Sequence, residues 1–126
     1  MNVWKLLRDL FGRRERRDID PMAPPVRALC ETLERIIELL VADNEAHWSR
    51  WMRGALDTLS SGDSAGAHRV LAAYGGMGSF NDLIIGQTVT DDRLTWADGA
   101  AGMNDELDAL RARAYTLAQQ VVDPSS

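Results

Sequence analysis

Three glycines within four residues interrupt the helical pattern in the middle of the chain, at residues 75–78 (Gly-Gly-Met-Gly). Glycine weakens a helix and accepts positive φ, so a helix is expected to end here. An alanine-rich run precedes Gly75, which is predicted to be the left-handed C-terminal cap of that helix. Ser79 and Asp82 have the spacing of a capping box, which starts a new element. The sequence therefore predicts a tight corner at residues 74–82, around which two helical halves are arranged.

The corner has a structural and a ligand-binding interpretation. Met77 and Phe80 are apolar although turns are usually polar, and both are expected to insert into the core. Main-chain N–H groups at a helix start attract anions, so the corner could instead bind a small ligand. No lysine follows the glycines, as a phosphate loop requires, and Asp82 repels anions. We expect a structural turn. The residues of the ligand-binding alternative are Gly75, Gly76, Met77, Gly78, Ser79, Phe80, Asn81 and Asp82.

Charge is distributed unevenly along the 126 residues. Residues 1–17 hold 6 basic and 2 acidic side chains, whereas the rest hold 8 basic and 17 acidic ones, for a net charge of −5. An acidic body opposes nucleic-acid binding, which needs a sustained basic face, and suits a basic protein partner. Cys30 is the only cysteine, which excludes an internal disulfide and a cysteine-based zinc site.

Residues 1–11 have the pattern of an amphipathic helix, with an apolar side opposite Lys5, Arg8 and Asp9. The segment is too short and too charged to span a bilayer. It is expected to contact a membrane surface or a partner, or to pack on the rest of the fold. The residues expected to make this contact are Trp4, Lys5, Leu7, Arg8, Phe11, Arg13, Arg14, Arg16 and Arg17.

Four further patterns predict the main helices. Residues 26–41 place their apolar side chains on one arc, and the next helix begins at Asp43 or Asn44 and extends to about residue 60. The others extend from 64 to 74 and from about 104 to 122. Residues 86–102 are polar and are predicted to be irregular. These patterns indicate an all-α fold, a compact bundle of about four helices with an extra N-terminal amphipathic helix. We divide the chain into a basic segment with its linker, 1–20, and one helical domain, 21–126.

Trp48 and Trp51 lie one helical turn apart, so they could form an aromatic platform for a ligand. Tryptophans at helical spacing more often belong to the core, which is the role we expect. His47 lies at the edge of the same face, and no cysteine or serine is placed to act as its nucleophile. The two histidines lack a metal-binding spacing. We therefore expect no catalytic constellation, no metal site and no cofactor.

Trp48-x-x-Trp51, Gly62-Asp63 and the corner together resemble a group of small, uncharacterised bacterial proteins that share a domain of unknown function. That group has a tryptophan-bearing helix, a Gly-Gly-Met-Gly-Ser-hydrophobic-Asn-Asp corner and a charged final helix. The resemblance covers roughly residues 26–122 and leaves the basic N-terminus outside it. It implies no catalytic residues, because the group has no established activity. Small acidic bacterial proteins include toxin-neutralising immunity proteins, which is an analogy only.

The leading hypothesis is a non-enzymatic, cytoplasmic protein-binding module, an immunity or accessory protein that neutralises or regulates a partner. The candidate contacts for that partner are Glu31, Glu34, Glu38, Asp91 and Asp92, and the alternative for each is an ordinary solvated surface charge. One alternative is a peripheral protein held at the inner face of the membrane by residues 1–17. The other is a small-ligand binder or enzyme that uses Ser79, Asn81, Asp82 and His47 at the corner.

Overall fold

Four α-helices and one β-hairpin make up the part of the chain that the computed structural model describes, residues 17–124. The elements in chain order are α1 (Pro24–Ala42), α2 (Ala46–Ser60), α3 (Ala65–Ala72), a 3₁₀ turn (Phe80–Asp82), β1 (Gln87–Thr90), β2 (Arg93–Trp96) and α4 (Ala100–Val122). The predicted all-α bundle is confirmed, with a small antiparallel sheet added to it. Among the described helices, none is both long and apolar enough to cross a membrane.

Helix α1 is the central element and contacts both α2 and α4. Two prolines occupy its first turn, where a missing N–H costs nothing. Most of the predicted apolar arc is buried, but Val41 at its end is 56% exposed, and Leu39, which lies off that arc, is buried instead. The guanidinium of Arg35 forms a two-pronged ion pair with the carboxylate of Glu106 on α4 and lowers the pKa of that carboxyl. Apolar burial and one surface ion pair therefore join α1 to α4.

The N-terminal cap of helix α2 lies two residues after Asp43, the earliest of the predicted caps. Glu45 is the N-terminal cap, and its side chain accepts a hydrogen bond from the Trp48 N–H. Asn44 instead adopts a left-handed φ of 58° in the turn between the helices. Asparagine tolerates this conformation better than most residues do. Asn44 is therefore suited to the turn between the two helices, and Glu45 takes the capping position.

Helix α3 crosses α2 at Gly66, where the two backbones approach closely. A Cβ atom added to Gly66 would lie 2.6 Å from both the Ala55 carbonyl oxygen and Leu59 Cγ. We expect Gly66→Ala to lower the free energy of unfolding by about 2 kcal/mol, because the helices must separate to admit the methyl group. Gly102→Ala is the matched control, since the space around Gly102 in α4 is open. That variant is expected to gain up to about 1 kcal/mol from helix propensity. Chemical denaturation of both variants measures these changes, and equal stabilities would refute the close crossing.

The first described residues are attached to the body rather than separate from it. Arg17 N–H donates to Ser64 Oγ, and the Ser64 N–H donates to the Arg17 carbonyl. The Arg17 guanidinium also donates to the carbonyl of Val121, near the end of α4. Ile19 N–H donates to the Gly62 carbonyl. The chain therefore enters the described fold beside the C-terminal end of α4.

Residues 87–96 form a hairpin, so the prediction that residues 86–102 are irregular is wrong for this stretch. The turn consists of Asp91 and Asp92, both with left-handed φ (52° and 62°). Positive φ at both central residues is the geometry of a type I′ turn, which matches the twist of a hairpin. Helix α4 likewise begins earlier than predicted, at Ala100 rather than near residue 104, directly after the left-handed Gly99.

Candidate functional site

The corner closes on itself through its own polar groups. Ser79 Oγ accepts a hydrogen bond from Asn81 N–H (3.3 Å), and Asp82 Oδ2 accepts one from Gly78 N–H (3.0 Å). Both predicted capping side chains therefore accept main-chain hydrogen bonds, but Ser79 caps Asn81 and Asp82 caps Gly78, rather than each other's main-chain N–H. The Gly78 N–H, which an external anion would need as a donor, is already bonded to the Asp82 carboxylate. This favours the structural interpretation of the corner.

The left-handed residues of the corner are Gly76 and Gly78, with φ of 107° and 79°. The prediction of a left-handed cap at Gly75 is wrong, because helix α3 ends at Ala72 and the chain reverses further on. A Cβ atom on Gly75 would meet nothing within 4 Å. Neither backbone conformation nor space therefore requires glycine at that position.

The two apolar residues of the corner have opposite environments. Phe80 is completely buried, as expected, and its ring lies 5.5 Å from that of Trp48 and 5.8 Å from that of Tyr74. Met77 is 100% exposed, so the expectation that it inserts into the core is wrong. The physical reason is that Met77 stands at the tip of the turn, between two left-handed glycines, where the chain points away from the body.

Arg111 holds the corner in place from helix α4. Its guanidinium donates to the carbonyls of Phe80 (2.8 Å) and Leu83 (2.7 Å) and forms an ion pair with Asp108. The residue is buried, and Asp108 is largely exposed. The sequence analysis missed Arg111. The available signal was its position four residues after Leu107 and three before Ala114, within the apolar stripe of α4.

A cleft of about 570 Å³ lies beside the corner and contains two tyrosines. The Tyr74 hydroxyl donates to the Arg111 carbonyl (2.8 Å), and the Tyr74 and Tyr115 rings meet edge to face at 5.1 Å. Its lining also includes Gly75, Asn81 and Arg111. Burial raises the pKa of the Tyr74 phenol well above its usual range, and the Arg111 charge opposes this only in part.

This burial predicts an alkaline loss of stability that depends on Tyr74. The unfolded chain releases the phenol proton from about pH 10, whereas the folded chain retains it to higher pH. Proton release therefore favours the unfolded state, and stability falls as the pH rises above about 10. At neutral pH we expect Tyr74→Phe to cost about 1 kcal/mol through the lost hydrogen bond. Denaturation of the wild type and of Tyr74→Phe at pH 8 and at pH 11 measures the difference in their free energies of unfolding, which we expect to shrink or change sign at pH 11. A constant difference would contradict the burial of the phenol.

The two tryptophans of the predicted platform both connect α2 to neighbouring parts of the fold. Trp51 Nε1 donates to the Arg69 carbonyl (2.9 Å), and Arg69 Nε donates back to the Trp51 carbonyl (2.8 Å). The Arg69 guanidinium also lies 4.4 Å from the Trp51 ring centroid. Trp48 contacts Phe80 and Trp51 with its ring. Both side chains are only partly exposed, and their contacts are those of core packing between α2, α3 and the corner.

His47 is exposed at the start of α2, with its ring centroid 4.6 Å from that of Trp48. The structure gives it no hydrogen bond to the described residues of the corner that the enzyme alternative pairs with it, Ser79, Asn81 and Asp82. Within residues 17–124, no three histidine, cysteine, aspartate or glutamate side chains are grouped so that they could hold a metal ion.

The predicted acidic contacts occupy two separate places. Glu31, Glu34 and Glu38 are exposed along α1, where Glu38 pairs with Arg35 (2.9 Å) and Glu31 approaches Arg27 (3.9 Å). Asp91 and Asp92 form the tip of the hairpin. Of the N-terminal contact residues, Arg17 is described above. Trp4, Lys5, Leu7, Arg8, Phe11, Arg13, Arg14 and Arg16 lie outside the described residues.

The hairpin presents an apolar face to solvent, which the sequence analysis did not anticipate. Val89 is paired with Leu94 across the two strands, and Trp96 follows two residues later on the same side. These side chains are 71%, 57% and 54% exposed. The opposite side of the hairpin carries Thr88, Thr90, Arg93 and Thr95. We call the surface formed by Val89, Leu94 and Trp96 the hairpin face.

A second cleft, of about 840 Å³, continues the hairpin face toward helix α4. The exposed Trp96 and Ile84 line it together with the apolar residues Leu83, Ala100 and Ala101. Its polar lining includes Asp98, Asp105, Asp108 and Arg111. Because Arg111 is already paired with Asp108, the border of this cleft carries an excess of negative charge. We call it the hairpin cleft.

The base of the hairpin is attached rigidly to the helices. Gly86 N–H donates to Asp43 Oδ1 (2.8 Å) at the end of α1, and Ala97 N–H donates to the Gly86 carbonyl (2.7 Å). Asn104 on α4 exchanges hydrogen bonds with both main-chain groups of Ile85. A Cβ atom on Gly86, which has a φ of 82°, would lie 2.8 Å from Ala100 Cβ. The hairpin face is therefore held in a defined position relative to α4.

Comparison with known proteins finds a similarity over part of the chain. A family model described as a domain of unknown function (DUF6966) matches residues 41–93. The match begins at the end of α1, includes α2, α3 and the corner, and ends in the hairpin. The expected resemblance to an uncharacterised family is confirmed for this range, which is shorter than residues 26–122. No curated protein and no solved structure gives a significant match to the chain.

Proposed function

We propose that this protein is a non-enzymatic binding module of the bacterial cytoplasm that regulates or neutralises a basic partner protein, in the manner of an immunity or accessory protein. The observation that carries this proposal is the hairpin face. Three large apolar side chains are exposed together on one side of a hairpin whose other side is polar. This arrangement is typical of a surface that a second protein covers.

The stability of a two-stranded hairpin supports this interpretation. Such a hairpin is marginal in water by itself and gains stability when one face is buried. Both strands of this hairpin are exposed along their whole length in the described part of the chain. Contiguous apolar patches bordered by polar residues mark interaction sites, and tryptophan is enriched among the residues that dominate binding. Trp96, which is exposed and lines the hairpin cleft, is therefore the expected anchor.

The charges around this surface indicate the chemistry of the partner. Asp98, Asp105 and Asp108 border the hairpin cleft, and Asp91 and Asp92 stand at the hairpin tip. Carboxylates around an apolar centre favour a partner that presents apolar side chains next to lysine or arginine. Opposite charges at the border of an interface mainly accelerate association and select the partner, while the apolar centre supplies affinity. These charges support a partner contact on the hairpin rather than on the α1 glutamates.

Capture of the partner from the native host tests the proposal with matched variants. Leu94→Asp places a charge in the hairpin face, and we expect it to reduce capture of the partner at least about tenfold. Thr88→Asp adds the same charge to the opposite side of the same hairpin and is expected to change capture less than about threefold. Quantitative mass spectrometry of the captured proteins, at low and at high salt, measures both.

The expected result is one basic protein that wild type and Thr88→Asp retain and Leu94→Asp loses, more strongly at low salt. Equal capture by all three chains would show that the hairpin face is not the binding surface. A complete lack of specific capture at both salt concentrations would refute the binding module itself. Circular dichroism of the three chains checks that the helical body is unchanged.

A further inference from the structure

We infer that the partner adds a short antiparallel β-strand to the free edge of β2, so that the hairpin becomes a three-stranded sheet in the complex. This mode of recognition rests on the proposed function and specifies how the partner is bound, through main-chain hydrogen bonds to β2 together with side-chain contacts on the hairpin face. The strand that fits has apolar side chains at alternate positions and a lysine or arginine at each end.

The register of the hairpin shows which of its main-chain groups point outward. In an antiparallel pair of strands, opposite residues that hydrogen-bond to each other alternate with opposite residues whose N–H and C=O groups point away from the pair. The Ala97 N–H donates to the carbonyl of Gly86, which lies opposite it in the continued register, so this pair belongs to the bonded set. The residues of the outward-pointing set are Gln87 and Val89 on β1 and Leu94 and Trp96 on β2.

These outward main-chain groups are open to a further strand. Both strands are exposed along their whole length, and the described residues outside the hairpin supply no hydrogen bond to the outward groups. Unpaired groups at a sheet edge are a template for another chain, and many proteins protect such edges with prolines, bulges or charged side chains. The two strands pair without a bulge, contain no proline and carry one charged side chain, that of Arg93. The hairpin is therefore suited to strand addition.

Side chains select the edge of β2 over that of β1. The outward-pointing residues of β2, Leu94 and Trp96, are both large and apolar, whereas those of β1 are Val89 and the polar Gln87. Trp96 also lines the hairpin cleft, and Gln87 does not. Residues directly opposite each other in a sheet place their side chains on the same face and stabilise it when they are apolar. A strand paired with β2 therefore extends the hairpin face with its own alternate apolar side chains.

Charges at the two ends of β2 determine the chemistry of the added strand. Asp91 and Asp92 precede β2 in the turn, and Asp98 lies two residues after its end. A strand that covers β2 therefore meets carboxylates at both ends, which favours lysine or arginine there. Arg93, on the opposite face, favours a neutral residue beside it. A second copy of β2 paired symmetrically about Thr95 would set Asp92 of each copy opposite Asp98 of the other, and like charges destabilise such a pair.

A synthetic peptide with this pattern, acetyl-Lys-Thr-Val-Thr-Val-Thr-Lys-amide, tests strand addition without the natural partner. We expect it to bind the isotopically labelled full chain with a Kd of about 1 mM or tighter. At saturation, exchange of the Leu94 and Trp96 amide hydrogens with water is expected to slow at least about fivefold, because both become hydrogen-bonded. The Val89 amide points outward on the other edge and is the matched control, with an expected change below about twofold. Nuclear magnetic resonance measures binding and exchange in the same samples.

N-methylated peptides separate main-chain pairing from side-chain contact. In the antiparallel arrangement the valines lie opposite Leu94 and Trp96, so their N–H groups point toward β2, whereas the threonine N–H groups point away. Methylating both valine nitrogens is expected to weaken binding at least about tenfold, through the loss of two hydrogen bonds. Methylating two threonine nitrogens leaves these bonds intact and is expected to change the Kd less than about threefold.

Proline substitutions in the protein make the same distinction between the two edges. Leu94→Pro removes an outward N–H from β2, and Val89→Pro removes one from β1, without removing a hydrogen bond within the hairpin. We expect Leu94→Pro to weaken peptide binding at least about tenfold, and Val89→Pro less than about threefold. Leu94→Val keeps the donor with a smaller apolar side chain and is also expected to remain within about threefold. The resonances of Thr88 and Thr95, a bonded pair, check that the hairpin persists. The N-methylated peptides decide the matter in the wild-type chain if a proline disturbs it.

Four results would overturn the inference. They are a lack of peptide binding up to about 5 mM, protection of Val89 in place of Leu94 and Trp96, binding that protects none of the three amides, and equal effects of the two N-methylated peptides. Protection of Leu94 that rises with protein concentration in the absence of peptide would identify a second copy as the occupant and overturn it as well.

The proposed function fails separately from strand addition. If the Leu94→Asp chain loses a partner that the wild type and Thr88→Asp retain, but the peptide does not pair with β2, the binding module stands and strand addition is refuted. If the peptide pairs with β2 and no specific partner is captured at either salt concentration, the edge chemistry stands and the binding module is refuted.

Discussion

Phe80→Ala is expected to lower the free energy of unfolding by about 3–5 kcal/mol, one of the two largest effects in this protein. Phe80 is fully buried where the corner meets the helices, and its ring contacts Trp48 and Tyr74 and faces the Arg111 guanidinium at 5.7 Å. Removing the ring leaves a cavity between residues that the 3₁₀ turn cannot fill by collapsing, because Arg111 holds the main chain of that turn. Equilibrium denaturation followed by circular dichroism measures the change.

Met77→Ala provides the control within the same corner. Its side chain is fully exposed, so we expect a change below about 0.5 kcal/mol in the free energy of unfolding. The two substitutions thereby compare two apolar residues three positions apart in opposite environments. A large loss for Met77→Ala, or a small one for Phe80→Ala, would contradict the described orientation of the corner.

Arg111→Met is expected to cost about 3 kcal/mol of unfolding free energy. Methionine retains most of the apolar stem of the side chain but donates no hydrogen bond. The Leu83 carbonyl has no other described hydrogen-bond donor, whereas the Phe80 carbonyl keeps the Leu83 N–H. Apolar replacement of a buried charge can be neutral when the whole polar group leaves, but here the main-chain acceptors remain in place. The loss of charge-assisted hydrogen bonds therefore outweighs the relief of desolvation.

Two controls separate the roles of Arg111. Arg111→Lys keeps the charge but lacks the planar fork of donors, so we expect a loss smaller than that of Arg111→Met. Asp108→Asn removes the ion pair, and because Asp108 is largely exposed the expected cost is below about 1 kcal/mol. Urea denaturation of the three variants ranks them. If Asp108→Asn were as damaging as Arg111→Met, the ion pair rather than the carbonyl contacts would hold the corner.

Arg111 also connects the corner to the proposed binding surface. Its side chain lines both the cleft that contains Tyr74 and Tyr115 and the hairpin cleft. It also donates a hydrogen bond to the carbonyl of Leu83, which lines the hairpin cleft. Loss of Arg111 is therefore expected to weaken partner capture as well as stability. The corner, which the sequence marked as a candidate binding site, contributes to the proposed function by positioning the segment that leads into the hairpin.

The helices were predictable because the information for them is local. The apolar arc of α1 repeats with the helical period, and Pro24 and Pro25 mark its start. Trp48 and Trp51 followed the same rule and pack against the corner and α3. Predictions failed at the ends of elements, as at Glu45 and Ala100, where the capping residue is chosen among several neighbours with similar propensities.

The hairpin was missed because its local signals are weak. Its turn contains Asp91 and Asp92 and lacks the glycine that usually marks a type I′ turn. The strands have only four residues each and alternate threonine with apolar side chains, a pattern too short to distinguish from an irregular loop. Its position depends on Asp43 and Asn104, which lie far away in the sequence and anchor residues 85 and 86.

The sequence by itself determined the helical segments, the division into a basic front and an acidic body, and the corner that separates two helical halves. Periodicity, charge and glycine content act over a few residues, so these features need no knowledge of the fold. Only the tertiary structure decided that Phe80 is buried and Met77 exposed, that Arg111 satisfies the carbonyls of the corner, and that Trp96 remains on the surface. Each of these outcomes depends on which distant residues meet, because burial and hydrogen-bond satisfaction are properties of the assembled core.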